Sequence, residues 1–455
     1  MTADAIEQLR GLLGERLSTA DSILDLHGRD ESSFAPRRPD AVAFPESTAE
    51  VSEIVRICFS AGVPVVPWGI GSSLEGQVLP VNGGVTIDTA RMNRIIAVSD
   101  ADLDARLQPG VTKDQLNGAL ADRGLFFAVD PGADATIGGM AATGASGTMT
   151  VRYGTIRENV LALEVVTAGG TIVRTGTRAR KSAAGYDLTH LFCGAEGTLG
   201  VICELVVRLH GIPEHVAAAV VTFASVRGAA NTAIAVVQSG IPIARCELLD
   251  TATVAAVNAF SGLGETEAPT LFLEFHGAPA AVASQLEDVQ ALAAENGGTG
   301  WRTATRAEDR SRLWKARHDV YFASVAMRPG CRSVTTDACV PVSRLADCIE
   351  ETLAEIERLP FPAPIVGHAA DGNFHCAVLI MPDDPAERRL ASAFSGRLAE
   401  RAIAMGGTCT GEHGVGLGKA KYLARQFGPE AVELMRTIKK ALDPQGLFNP
   451  GKILE

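Results

Sequence analysis

Within "GHAADGNFHC" (367–376), His368 and His375 bracket an Asp-Gly pair, in a chain that carries nine histidines among 455 residues. Asp-Gly is the strongest short hairpin signal, because a type I′ turn needs φ > 0 at both central residues. Centring the turn on Asp371 and Gly372 pairs Ala370 with Asn373, Ala369 with Phe374, and His368 with His375. Cross-strand partners share a face, with Cβ atoms roughly 4.5–5.5 Å apart, so the two imidazoles can share one ion. Read alone, the pair is more simply a half-buried hairpin with two hydrogen-bonded histidines. "GEHG" (411–414) adds the missing ligand type. Glu412 follows a short strand-like "GTCT", and on a regular strand Glu412 and His413 face opposite ways, so they do different jobs. Two histidines, a glutamate and an open position form the ligand set of a catalytic divalent-metal site rather than a structural one. Zinc is the default ion for that set, with manganese and iron as alternatives. On its own, Glu412 is an ordinary solvated loop acid. Arg317 in "RLWKARHD" lies on a predicted helix with Trp314 at i−3 and Tyr321 at i+4. Without further context it is one solvated helix arginine among Arg306, Arg310 and Arg312.

Three glycine-rich runs precede these residues. "WGIGSSLEG" (68–76) follows a predicted buried strand but fails the dinucleotide fingerprint G-x-G-x-x-G: the step from Gly71 to Gly76 is too long, and no helix follows. A P-loop is excluded as well, since no Lys-Ser or Lys-Thr closes the loop. Gly69, Gly71, Ser72 and Ser73 can still turn several backbone N–H groups toward one anion; a tight surface turn explains them equally. The second run, "PGADATIGGMAATGASGTMTVRYG" (131–154), has small residues and no usable period. A 24-residue stretch without secondary structure is uncommon unless it is functional. Gly138, Gly139, Gly144 and Gly147 permit close backbone approach to something large and flat. The third run, "GAEGTLGVI" (194–202), leads into a strand. A bulky bound cofactor explains all three more economically than three permissive loops.

The elements that must position these residues can be read in part. Val51, Ile54, Val55, Cys58 and Phe59 form the stripe of an amphipathic helix, capped by Ser47 or Thr48 and ended at Gly62. "VPVVP", "GGVTID", "RIIAVS" and "LDARLQPG" read as short strands, followed by a helix around 112–123. After "VICELVVRLHGIPEH" a βα alternation begins: strand "AAVVTF", helix 225–239, strand "RCELL", a short helix, strand "TLFLEFHG", helix 279–296. Helices at 307–326, 343–358 and 385–405 follow, with a strand near 334–340 and the hairpin between them. Strands alternating with helices in this way predict an α+β domain whose sheet is covered by helices on one face. The boundary falls near Gly211–Pro213, and the turn-rich "LDPQGLFNPGKILE" is positioned to fold back on another surface.

Composition is globular, with 46% hydrophobic and 21% charged residues. The length suggests two or three domains. A formal charge of −12 argues against nucleic acid as a partner. No apolar run reaches the ~18 residues of a membrane span, and no secretory signal is visible at the start. Nine scattered cysteines without a C-x-x-C fit reduced thiols in a cytoplasm.

Together, "PVVPWGIGSSLEGQ", "DPGADATIGGMAATGASGT…VRYG" and "GAEGTLGVI" resemble the PCMH-type FAD-binding domain of the vanillyl-alcohol oxidase superfamily. With "LWKARH", "TTDACVPVSRL", "GHAADGNFHC", "GTCTGEHGVGLGK" and "LDPQGLFNPGK" added, the chain is similar to the FAD-linked, cytochrome-type D-lactate and D-2-hydroxy acid dehydrogenases from about residue 36 to its end. The resemblance implies a two-domain α+β flavoprotein: an N-terminal helical segment (1–35), a PCMH-type FAD domain (36–211), an antiparallel-sheet cap with helices on one face and the metal site (212–430), and a segment returning to the FAD domain (431–455). It implies FAD, with the pyrophosphate on Gly69, Ile70, Gly71, Ser72, Ser73 and Leu74, followed by Gln77. Pro131, Gly132, Thr136, Gly138, Gly139, Ala142, Ser146, Gly147 and Tyr153 would flank the flavin, with Val201 and Ile202 behind it and Asn449 approaching the ring. Relatives that hold flavin covalently often use a histidine or cysteine in these loops; none occurs in 63–80 or 131–154, so the FAD is expected to be non-covalent. Departures are mild: Gly-Ser-Ser at 71–73, Ala195 where Ser is common, and Ala370 where relatives commonly carry glycine before the Asp-Gly turn.

By the same resemblance the metal falls on His368, His375 and Glu412, and Arg317 becomes the clamp for the substrate carboxylate, a planar role suited to a guanidinium. His413 becomes the base that takes the hydroxyl proton, and hydride passes from the α-carbon to flavin N5. Relatives acting on 2-hydroxyglutarate carry a lysine shortly before the Asp of "TTDACVP"; Thr335 and Thr336 stand there, which argues against a second substrate carboxylate. The expected substrate is a small D-2-hydroxy acid, D-lactate foremost, with D-2-hydroxyglutarate or glycolate oxidation as the alternative. Electrons would leave to a cytochrome, a quinone or an electron-transfer flavoprotein. The expected setting is the cytoplasm with at most peripheral contact to the inner membrane, and a homodimer is a possible assembly. Readings of other classes are an alkylglycerone-phosphate synthase-like transferase, a metallohydrolase with incidental glycine loops, and an inactive flavin-binding module.

Overall fold

The apolar stripe at 51–59 forms helix α1 (Thr48–Ser60) in the computed structural model, which describes residues 3–454. The Ser47 hydroxyl accepts the Glu50 amide, and Val51, Ile54, Val55, Cys58 and Phe59 are buried. The chain divides into two units: Met1–Ser146 with Gly154–Ile212 and Glu412–Glu455, and Gly147–Tyr153 with Pro213–Gly411. The long excursion into the second unit runs from Pro213 to Gly411, and the chain returns to the first unit at Glu412.

In the first unit β1 (Leu17–Ser18), β2 (Ala41–Ala43), β3 (Val65–Trp68) and β4 (Val85–Asp88) form a sheet of order β1-β2-β4-β3. Its three longer strands run parallel, and α1 buries its stripe against them. A second, antiparallel sheet follows the order β5-β6-β10-β8-β9, from β5 (Ile95–Ser99), β6 (Asp104–Leu107), β8 (Val160–Val166), β9 (Ile172–Gly176) and β10 (Val201–Arg208). A two-stranded ladder pairs β7 (Leu125–Phe126) with β11 (His210–Gly211).

The glycine-rich stretch 131–154 is not without structure: α2 (Ile137–Thr143) lies inside it. Glycine and alanine leave no apolar period to read, but the local stop and start signals are present. The Thr136 hydroxyl accepts the Gly139 amide at 3.3 Å, and Gly144 closes the helix in the left-handed region at φ 73°.

The second unit is built on one sheet in which every pairing is antiparallel, of order β15-β12-β14-β13-β18-β19-β16, with β17 on β19. Its strands are β12 (His215–Phe223), β13 (Ile243–Leu249), β14 (Thr270–Gly277), β15 (Gly298–Ala304), β16 (Arg332–Thr335), β17 (Ala338–Cys339), β18 (Ile365–His368) and β19 (Asn373–Ile380). Helices α3 (Val226–Gln238), α4 (Thr251–Ser261), α5 (Pro279–Glu295), α6 (Ala307–His318), α7 (Val320–Ala326), α8 (Leu345–Ile356) and α9 (Pro385–Ala404) complete it. Four of them, α3, α5, α8 and α9, cover one face and bury Ala219, Val221, Leu248, Leu273, Phe275 and Phe374. A smaller apolar cluster on the other face joins Val220, Leu249 and Phe272 to α4, α6 and α7 through Val254, Trp314 and Val320. The helix expected over 307–326 is broken at Asp319, which takes bonds from Ser261 and Lys315 and separates α6 from α7.

Candidate active site

The arms of the histidine hairpin are β18 and β19, but their register differs from that of a two-residue turn. Val366 faces His375 and His368 faces Asn373, and the link is a 3₁₀ turn at Ala369–Asp371 closed by Gly372 at φ 75°. The expected His368–His375 pairing is therefore wrong by two residues. The physical reason lies outside the hairpin. A Cβ on Gly372 would approach the Val340 carbonyl oxygen to 2.1 Å, and the Val340 amide donates to the Gly372 carbonyl at 3.0 Å. The segment after β17 thus seats Gly372 at the end of a four-residue loop. Because side chains alternate with period two, a slip of two leaves every side chain on its original face. His368 and His375 remain on one face as diagonal neighbours, with ring centroids 5.6 Å apart and a ligand atom of each within 4.8 Å of the other's. Ala370 is buried on the helix-covered side.

Both imidazoles are oriented through Nδ1. His375 Nδ1 lies 3.0 Å from the Thr336 carbonyl, an acceptor that cannot donate, so the proton sits on that nitrogen and the ring presents a lone pair at Nε2. His368 Nδ1 lies 2.7 Å from Oε1 of Glu247, its partner in register on β13. Burial pushes the Glu247 carboxyl upward, and the facing His368 and Arg317 together hold it below the usual carboxylate range. It therefore accepts, so His368 carries a proton on Nδ1, and Nε2 is the ring nitrogen turned away from Glu247. A metal-bound histidine characteristically donates its other N–H to a carboxylate or carbonyl, so this donor set fits a divalent ion. His276, a third imidazole on β14, is different: Nε2 meets Glu274 at 2.9 Å and Nδ1 meets the Tyr153 hydroxyl at 2.8 Å. Both nitrogens are engaged, which makes it a structural histidine.

Arg317 is not on a solvated face. Its Nε donates to Glu247 Oε2 at 2.7 Å, and its side chain is 18% exposed. Trp314 stacks instead on Arg245, 4.9 Å from the ring centroid, and Tyr321 is exposed. Glu247 was missed in the sequence. Its only signal was an acid inside the apolar strand "ARCELL", where alternation sends it to the face opposite Cys246 and Leu248.

Glu412 and His413 open the segment that returns to the first unit. No strand forms at "GTCT"; a lone bridge joins Thr408 to Cys339. Ser146, expected at the flavin, donates to Glu412 Oε2 at 2.6 Å, and the His413 carbonyl accepts the Gln77 side-chain amide at 2.6 Å. The loop beyond is fixed by Glu196, another residue missed in the sequence, whose carboxylate accepts the Val415 amide at 2.6 Å and the Gly416 amide at 2.9 Å. Burial pushes the Glu196 carboxyl up to about 7.

The three glycine runs meet in the first unit. A Cβ on Gly69 would lie 2.5 Å from the Thr136 hydroxyl and 3.8 Å from the Gly139 Cα. The Gly194 and Glu196 amides donate to the Ala141 and Ala142 carbonyls at 2.9 and 2.7 Å. Asn449 at φ 39° closes the group: its side-chain amide donates to the Gln77 and Glu196 carbonyls at 2.8 and 2.6 Å. A Cβ on Gly132 or Gly194 would meet nothing within 4 Å, so both glycines border open space. Val201 and Ile202 are buried behind them, whereas Gly138 is pressed against Pro109. Gly147 and Tyr153 fall in the second unit.

The sequence matches the family models described as "FAD binding domain" over residues 39–176 and "FAD linked oxidases, C-terminal domain" over 212–453. A protein of Danio rerio named "Probable D-lactate dehydrogenase, mitochondrial" is 48% identical over 454 residues, covering 99% of this chain and 91% of the relative. "D-lactate dehydrogenase [cytochrome], mitochondrial" of Arabidopsis thaliana is 44% identical, covering 99% and 80%. Among solved structures, 4-ethylphenol oxidase from Gulosibacter chungangensis aligns with a TM-score of 0.81 at 19% identity, covering 99% of this chain and 97% of that one. p-Cresol methylhydroxylase aligns at 0.80 and 17% identity, covering 99% and 96%. These two likenesses establish the fold.

Proposed function

The chain belongs to the FAD-linked oxidases, in the branch of the cytochrome-type D-lactate dehydrogenases, and on that premise we propose that it oxidises a small D-2-hydroxy acid, D-lactate foremost, to the 2-oxo acid. One observation carries the reading: Glu247 joins a ligand-oriented histidine to a guanidinium on one buried sheet face, so hydroxyl and carboxylate recognition stand side by side. Non-covalent FAD supplies the acceptor for the α-carbon hydride, and a divalent ion, zinc with manganese or iron as alternatives, supplies Lewis acidity at the hydroxyl.

His368, His375 and Glu412 are the metal ligands in this proposal. Arg317 orients the substrate carboxylate, and the His413 imidazole takes the hydroxyl proton. The Gly69–Leu74 loop, the 131–147 segment and Asn449 hold the FAD. Thr335 and Thr336 offer no cation for a second carboxylate, which supports a monocarboxylate over 2-hydroxyglutarate. The bracketed word in the names of the relatives favours a cytochrome as electron acceptor. No disulfide joins the cysteines among the described residues, in keeping with the reducing compartment proposed here, such as the cytoplasm. No helix among the described residues is long and apolar enough to cross a membrane.

Anaerobic mixing with D- and L-lactate while following the visible flavin absorbance tests the activity. D-lactate should bleach the flavin and L-lactate should not. Persistent colour with a panel of D-2-hydroxy acids would overturn the dehydrogenase reading and favour a transferase that uses FAD without net turnover.

A further inference from the structure

Glu247 spends each carboxylate oxygen on a different donor. Oε1 lies 2.7 Å from His368 Nδ1 and Oε2 lies 2.7 Å from Arg317 Nε, and the glutamate is fully buried. Its neighbours Cys246 and Leu248 pack into the helix-covered core on the opposite face. An apolar side chain of similar volume would avoid the desolvation of a buried carboxylate, and such replacements of buried ion pairs are often neutral or stabilising. A charge kept here argues for a positional role. The headgroup of a 2-hydroxy acid carries its hydroxyl and carboxylate on adjacent carbons, so the groups that bind them must keep a fixed spacing.

We propose that Glu247 is a positioning residue that couples the metal ligand His368 to the carboxylate clamp Arg317, setting both halves of the headgroup site through one side chain. This deepens the dehydrogenase reading and rests on it. With Nε committed to Glu247, the substrate carboxylate meets the guanidinium from its Nη edge. One carboxylate thus fixes which edge of Arg317 faces the substrate and which nitrogen of His368 faces the ion.

Glu247→Gln keeps the volume but offers one acceptor oxygen and one amide donor, so it serves only one of the two partners. In FAD-loaded enzyme without substrate, zinc affinity measured by chelator competition should fall about 10–100-fold, the usual effect of losing such an outer partner. In zinc-saturated enzyme, KM for D-lactate should rise about tenfold, within the range for one interaction in a shared network, with FAD content unchanged. Arg317→Met lies outside the metal shell and should still shift zinc affinity by about threefold or more, because the network is shared. This second variant decides the matter if Glu247→Gln does not fold. Zinc affinity within about twofold of the parent in every variant that folds overturns the coupling, since that is below any network effect. Parent enzyme that binds no divalent ion removes the metal reading itself, and the coupling with it, before any variant is compared.

Discussion

A carbonyl and an ionised carboxylate share one property: neither can donate a proton. That property places a proton on Nδ1 of both His375 and His368, facing Thr336 and Glu247 respectively, and leaves Nε2 of each to serve as the ligand atom in the proposed metal site. Removing one ligand from a three-residue set should therefore abolish ion retention without touching the glycine loops. His375→Ala should lose its metal by elemental analysis, keep its FAD, and lose about 100-fold or more in kcat, the scale of discarding a metal's contribution to charge stabilisation. Full turnover by this variant after chelation would show that the ion is held elsewhere or plays no part. The same logic separates His276, whose nitrogens are both committed to Glu274 and Tyr153, from the pair.

At the scale of elements, what could be read ahead was what depends on local pattern. The α1 stripe and its serine cap needed nothing from outside the segment, and the shared face of the two histidines needed only the parity of a strand. The hairpin register was illegible because Val340, about thirty residues upstream, seats Gly372 against its carbonyl. Helix α2 escaped because small residues carry no period, although Thr136 and Gly144 mark its ends. Glu247 escaped because a lone acid in an apolar strand names no partner; His368 and Arg317 lie 121 and 70 residues away in sequence. The loop explanation can be tested through Gly372→Ala, which places a Cβ 2.1 Å from the Val340 oxygen at φ 75°. The left-handed backbone alone costs about 1–2 kcal/mol for a residue with a Cβ, and the clash adds to it. Denaturant unfolding should show a loss of about 2–4 kcal/mol, in the range of strained or overpacked substitutions; a loss within error would mean the loop relaxes freely and does not set the register.

For the molecule as a whole, the chain leaves its first unit, builds a second, and returns at Glu412, so the return must be fastened to segments laid down hundreds of residues earlier. Glu196 and Asn449 do this from opposite ends of the tail. Glu196 accepts the Val415 and Gly416 amides, Asn449 spans Gln77 and Glu196, and Lys452 donates to the Leu79 carbonyl at 2.7 Å. The fastening has a pH signature. Burial raises the Glu196 carboxyl to about 7, above its unfolded value of about 4.3. Below the lower value both states are protonated and the group contributes nothing to the pH dependence. Between the two values the folded state holds a proton that the unfolded state has lost, so stability falls as pH rises, and above about 7 the whole cost applies. The total is about 4 kcal/mol for a shift of this size. Lys452, lowered to about 8 by burial, is charged in both states below that pH and adds no slope to this window. Urea midpoints of the FAD-loaded protein should therefore decline from pH 5 to pH 8, and Glu196→Gln, which still accepts an amide hydrogen bond, should flatten the decline. A parent and a variant with parallel midpoints across that range would mean that Glu196 stays ionised in the folded state and holds the returning segment as a permanent anion.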